Sequence, residues 1–121
     1  YMKNFIKNLI KKKLIKNKIN ISTDKVIFTG LTYKKNVSDL RNSHALKIFE
    51  HFLKLGKKVY GIDPFLFSKN NKKLLDLDQL YKDTKIKCVV LLVEHDSFKN
   101  IIKKIDKKIK IINLFNFYEK N

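Results

Sequence analysis

Lys25-Val-Ile-Phe-Thr-Gly30, an apolar run closed by a glycine, reads as a short strand buried on both faces. The residues after it decide the kind of sheet to which it belongs. After a polar stretch that ends near Arg41, the residues Ala45, Leu46, Ile48, Phe49, Phe52 and Leu53 recur at helical spacing. Ser43 is placed to cap that helix and Gly56 to stop it. Lys58-Val-Tyr-Gly-Ile62 then forms a second strand, which ends in Asp63-Pro64. Strand, helix and strand joined by short links make a right-handed crossover unit, so the two strands are expected as parallel neighbours.

The alternation continues with a short helix over residues 74–81, a strand over 87–93, a helix over 97–105 and a strand over 109–114. Upstream, Met2, Phe5, Ile6, Leu9, Ile10 and Leu14 fall at the three-and-four spacing of one helix face. A basic amphipathic helix of this kind suits an anionic membrane surface as well, but packing against a core or a partner domain is the commoner use. The pattern predicts an α/β fold: a Rossmann-like open parallel sheet of about four strands in the order 2-1-3-4. Helices cover both faces, and the amphipathic helix precedes the sheet. Such sheets bind ligands beyond the carboxyl ends of their strands where the strand order reverses, here beside Gly30.

With 121 residues the chain is long enough for one core and too short for a cofactor domain plus a substrate domain. Its 28 Lys and Arg against 11 Asp and Glu give a net charge of +17, which attracts phosphate-bearing partners. Every cation but Arg41 is a lysine, and Asn and Ile are also abundant, so the excess reads as coding bias and a solvated surface. Nucleic-acid surfaces lean on arginine for forked and stacking contacts, and no nucleic-acid partner is expected. The lone Cys88 sits in the run Lys87-Cys-Val-Val-Leu-Leu-Val93, where a buried, inert thiol in a reducing cytoplasm is the simplest state. No apolar stretch approaches the ~20 residues of a membrane helix, and the start lacks the apolar core of a secretory signal.

The loop after the first strand carries the chemistry. A dinucleotide-binding sheet places three glycines there so that the backbone can approach a pyrophosphate. Here Gly30 stands alone, and Leu31, Tyr33 and Lys34 occupy the tight turn, so an NAD cradle is not expected. The loop offers instead an aromatic ring, lysines, Asn36, Asp39 and Arg41, a set that suits a phosphorylated ligand. The same residues also suit a solvated turn in which Asp39 and Arg41 pair or cap the next helix, and chemistry alone leaves both readings open.

The stretch Gly30-Leu-Thr-Tyr-Lys-Lys-Asn-Val-Ser-Asp-Leu-Arg-Asn-Ser-His-Ala-Leu46 resembles the opening of the last domain of the UDP-glucose/GDP-mannose dehydrogenase family. Leu55-Gly-Lys-Lys-Val-Tyr-Gly-Ile-Asp-Pro64 is similar to that family's second strand. Val89-Val-Leu-Leu-Val-Glu-His-Asp-Ser-Phe98 is similar to its third strand and the helix start after it. The resemblance implies the nucleotide-sugar-binding domain of an NAD-dependent nucleotide-sugar 6-dehydrogenase, serving polysaccharide precursor synthesis in the cytoplasm. Its substrate would be UDP-glucose or a UDP-N-acetylhexosamine, and Asp39-Leu-Arg-Asn-Ser43 leans toward the latter. In the family an amino-terminal domain holds NAD, a central helical region supplies a catalytic cysteine and mediates homo-oligomerisation, and the sugar C6 hydroxyl is oxidised to a carboxylate. Residues 1–20 would then be the end of the connecting helical region and residues 21–121 the nucleotide-sugar domain.

Position by position, the resemblance implies that Tyr33 and Lys34 contact the nucleotide-sugar, that Arg41 reaches the NAD held by the other domain, and that Asp39 braces the loop. Cys88 lies in a strand rather than in the family's Gly-Gly-x-Cys setting and has no catalytic part, and the chain carries no catalytic residue of its own. One departure concerns specificity: the family's Asp-x-Arg after the last strand is replaced by Asn113 and Phe115. His95 and Asp96 fit a helix start better than acid-base work, and Asp63 fits the Asp-Pro turn. His44 has no Cys or second His at ligand spacing, so no metal is expected. Two other classes remain distinct from an enzyme domain: a stand-alone nucleotide-sugar-binding or regulatory module, and a basic nucleic-acid binder that rests on charge alone.

Overall fold

The computed structural model describes residues 2–31, 44–63, 73–92 and 101–114. Helix α1 (Met2–Lys16) leads into strand β1 (Val26–Thr29), followed by α2 (His44–Leu55), β2 (Val59–Ile62), α3 (Leu77–Lys82), β3 (Cys88–Leu91), α4 (Ile101–Lys104) and β4 (Lys110–Asn113). The four strands form one sheet in the order β2-β1-β3-β4, all parallel, as the alternation predicts. Val26 is in register with Val59 on one side and Cys88 on the other, and Cys88 with Lys110.

The strands alternate between two layers of core. On one face Val26, Phe28, Cys88, Val90 and Ile112 pack against α1 and α2. Phe28 lies between two rings of α2, stacked on Phe52 at 5.2 Å and tilted against Phe49 at 6.0 Å between centroids. On the other face Ile27, Val89 and Leu91 meet Leu80 of α3 and Ile101 of α4. Both central strands, β1 and β3, are buried at every residue. This explains why they read as unbroken apolar runs rather than as alternating ones.

Helix α1 joins the same core through Ile6, Ile10 and Leu14, a stripe at i, i+4 and i+8. Leu9 and Phe5 lie on the flank of that stripe, where Leu9 is partly buried and Phe5 remains 56% exposed. The expected face is therefore narrower than the apolar pattern suggested. The helix closes without a glycine: Lys18 takes a left-handed φ of 60°, while the Ile19 N–H donates to Leu14 O at 2.8 Å and the Lys18 N–H to Ile15 O at 3.0 Å. This paired closure brings Ile19 and Leu14 together in the core.

Two element boundaries differ from expectation for physical reasons. Leu74 does not start a helix but bridges Gly61 in an extended segment along the outer edge of β2. Helix α3 begins later because Asp76 and Gln79 form a reciprocal capping box that fixes its first turn. The start expected for α4 at residues 97–100 and the Ser43 cap expected for α2 lie outside the described residues.

Gly61 is needed for close approach. A Cβ there would stand 2.7 Å from Phe49 Cζ and 2.9 Å from Leu31 Cδ1. Both neighbours are buried side chains in a filled core, so Gly61→Ala is expected to destabilise the fold by about 1–3 kcal/mol through overpacking. Urea unfolding followed by circular dichroism reads this directly; an unchanged midpoint would show that Phe49 and Leu31 have room to move.

Candidate functional site

Strand β1 is the point at which the order of the sheet reverses, since β2 lies on one side of it and β3 on the other. The crevice for a ligand opens beyond the carboxyl ends of β1 and β3. At that mouth the chain passes through Gly30, whose φ of 78° is a left-handed conformation that glycine adopts without strain. The ladder does not end with the strands: the Gly30 N–H donates to Ile62 O at 2.9 Å, the Leu92 N–H to Thr29 O at 2.9 Å, and the Leu114 N–H to Leu91 O at 2.8 Å.

Immediately beyond, Asp63 at the end of β2 accepts a hydrogen bond on Oδ2 from the Leu31 N–H, at 2.7 Å. Asp63 is 2% exposed and Leu31 fully buried. A charge-assisted bond in so dry a place is strong and leaves the backbone little freedom. Asp63 therefore does more than fix an Asp-Pro turn: it ties the root of the first loop to the neighbouring strand. Leu31 points inward against Gly61 and joins the core, so the residue after Gly30 faces the sheet rather than the crevice. Of the three glycines of a dinucleotide cradle the sequence carries only the first, Gly30, so the glycine run that lets a backbone approach the pyrophosphate of NAD is lacking. Thr29, also buried, directs its hydroxyl toward Val90 O at 3.4 Å, a long contact within the sheet rather than one offered to a ligand.

The residues singled out for ligand contact, Tyr33, Lys34, Asp39 and Arg41, lie outside the described residues, as do His95, Asp96 and Phe115. What the structure supplies is the place from which their loop departs. Asn113 closes β4 as an exposed residue at the same end of the sheet. Cys88 is wholly buried in β3, and burial pushes its thiol up to about 12, which suppresses the nucleophilic thiolate at neutral pH. His51 of α2 has a buried Nε2 without a hydrogen-bond partner among the described residues. Burial lowers its pKa, and Lys7, Lys11 and Lys54 lower it further. Among the described residues no three His, Cys, Asp or Glu side chains gather as metal ligands, and no helix is long and apolar enough to cross a membrane.

Residues 27–120 match the model of the UDP-glucose/GDP-mannose dehydrogenase family, UDP binding domain. The chain belongs to this family. A UDP-N-acetyl-D-mannosamine dehydrogenase from Methanococcus maripaludis is 36% identical over 87 residues, which cover 72% of this chain and 20% of that protein. The solved UDP-D-ManNAc dehydrogenase of Pyrococcus horikoshii superposes with a TM-score of 0.67 at 27% identity, over 93% of this chain and 26% of that one. The UDP-N-acetyl-mannosamine dehydrogenase of Staphylococcus aureus shares the fold with a TM-score of 0.63 at 24% identity, over 98% of this chain and 31% of that one. The chain spans about a fifth of the length of the curated relatives it matches. Within this family the chain is a nucleotide-sugar-binding domain of Rossmann-like fold.

Two outcomes are expected from the geometry. Asp63→Ala should destabilise the chain by about 1–3 kcal/mol by removing a buried acceptor, while Asp63→Asn, which keeps an acceptor oxygen, should cost less. Equal losses in urea midpoints for the two variants would show that the Leu31 contact contributes nothing. Cys88 should resist a maleimide reagent in native buffer and react fully in denaturant; native labelling at the rate of a free thiol would contradict its burial.

Proposed function

We propose that the chain is the substrate-holding domain of an NAD-dependent nucleotide-sugar 6-dehydrogenase, with residues 1–20 the end of a connecting helical region and residues 21–121 the nucleotide-sugar domain. The observation that carries this reading is the tie from Asp63 to Leu31, which roots the segment after Gly30 at the mouth of the crevice. Tyr33 and Lys34 hold the nucleotide-sugar, with Lys34 neutralising its pyrophosphate as a point charge. Arg41 reaches the cofactor of the other domain, and Asp39 braces the loop between them. NAD supplies the hydride acceptor for oxidation of the sugar C6 hydroxyl. The glycine run of a cofactor cradle is lacking after Gly30, so NAD would be held mainly by the other domain.

The substrate class is a UDP-N-acetylhexosamine. The Asp39-Leu-Arg-Asn-Ser43 sequence favours it, and several relatives are named for UDP-N-acetyl-D-mannosamine. Asn113 and Phe115 stand where the family carries Asp-x-Arg, so recognition rests more heavily on the first loop. Polysaccharide precursor synthesis in the cytoplasm, by a homo-oligomeric enzyme, is the setting that goes with this activity.

Calorimetric titration of the chain with UDP-N-acetylhexosamines, UDP-glucose, free UDP and a generic oligonucleotide tests the assignment. Binding of the UDP-sugars is expected, with no measurable binding left in Lys34→Ala. An unchanged affinity in that variant would move the contact elsewhere. Salt-sensitive oligonucleotide binding without UDP-sugar preference would overturn the reading altogether.

A further inference from the structure

Lys25, Lys58 and Lys87 each stand one residue before a strand begins. Because Val26 is in register with both Val59 and Cys88, the three lysines share one level on three adjacent strands. Neighbouring strands lie about 4.8 Å apart. Alternation along the strands sends all three side chains to the face opposite Val26, the face that also carries Tyr60. They line a single cavity of about 300 Å³ with Asp24, Tyr60 and Lys85. This cavity sits at the amino-terminal edge of the sheet, a strand length, roughly 13 Å, from the crevice beside Gly30.

The charges in it are poorly matched. Lys25 pairs with Asp83, just past the end of α3. Burial works to raise the Asp83 pKa, but the hydrogen bonds from Lys25 Nζ and the Lys85 N–H, with the lysine charges, hold it below the ordinary carboxylate range. Asp24 accepts from the Asn20 N–H. Among the described residues no carboxylate pairs with Lys58, Lys85 or Lys87. Lys58, Lys85 and Lys87 are exposed around this one concavity, where their ammonium groups repel one another and their potentials add. The Tyr60 ring lies under Lys25 Nζ at 5.1 Å and Lys73 Nζ at 4.6 Å, so it already holds cations and is not offered to a nucleobase. Recognition in this cavity works through charge rather than stacking.

We propose that this cavity is an anion site for a small multivalent ligand of the phosphate class, represented by pyrophosphate, separate from the nucleotide-sugar crevice and independent of that assignment. Dispersed surface lysines repel weakly and need no counter-ion, whereas a row fixed at strand spacing gains from an anion that bridges it. An occupant would join the first residues of three strands and raise the thermal midpoint by mass action.

The test is calorimetry of the chain with pyrophosphate at low salt, backed by amide chemical shifts. Binding is expected to weaken as sodium chloride rises, with shifts clustered at Val26, Val59 and Cys88. Lys58→Gln/Lys87→Gln should weaken it by about tenfold or more. Lys12→Gln/Lys16→Gln on α1, which removes the same charge elsewhere, should change it little. Lys85→Gln, outside the strands, gives a second variant with its own loss of affinity should the double variant not fold. Equal loss in the α1 control, shifts centred on Gly30 and Leu31, or no binding at low salt would each overturn the proposal.

Discussion

Burial of β1 on both faces, with a hydrogen-bonded partner along each edge, is the constraint on which the other placements depend. A parallel strand in that position has no contact with water at any residue, so helices must cover it above and below. Phe28 on one side requires the aromatic pair of α2, and Ile27 on the other lies in the layer formed with α3 and α4. The reversal of strand order at β1 then places the ligand crevice at its carboxyl end. The chain leaves β1 at that mouth through Gly30 and Leu31.

Stability and function divide along the length of the strands. The middle of the sheet is wholly apolar and carries the burial energy. At the carboxyl end, the first polar groups encountered are committed to the backbone, Asp63 to Leu31 and Thr29 to Val90. A loop that departs from so fixed a root can present charged and aromatic side chains without disturbing the core. The opposite end holds at one level the lysines that precede β1, β2 and β3. The ligand crevice of the fold and the lysine-lined cavity thus lie at opposite ends of a small sheet.

The sequence made the strands legible because a strand covered on both faces has to be apolar throughout, and it made their order legible because crossover units have one hand. The helix ends were harder. Leu74 fits a helical pattern as well as a bridge to Gly61, and only the free edge of β2 decides between them. Phe5 fits the apolar face of α1, yet the groove admits only a stripe centred on Ile6, Ile10 and Leu14. Local spacing does not report such tertiary choices. The Asp63 to Leu31 bond spans 32 residues, and its signal in the sequence was no more than an acid at a strand end facing a bulky residue after a lone glycine. The lysine row was likewise visible as letters but not as a row until the register was known. Tyr33, Lys34, Asp39 and Arg41 were read from the family signature and lie outside the described residues; the structure locates only the start of their loop.

The extended segment of residues 73–75 has a consequence beyond delaying α3. It takes both backbone groups of Gly61, whose N–H donates to Lys73 O and whose carbonyl accepts from the Leu75 N–H, each at 2.8 Å. An uncovered edge strand is a template on which another chain can add, the first step of sheet-to-sheet aggregation. Along β2 that template is already filled from within the chain by a piece too short to offer a new edge of any length. This seal closes one edge of the sheet to strand addition, and the net charge of +17 adds a general repulsion against edge-to-edge pairing.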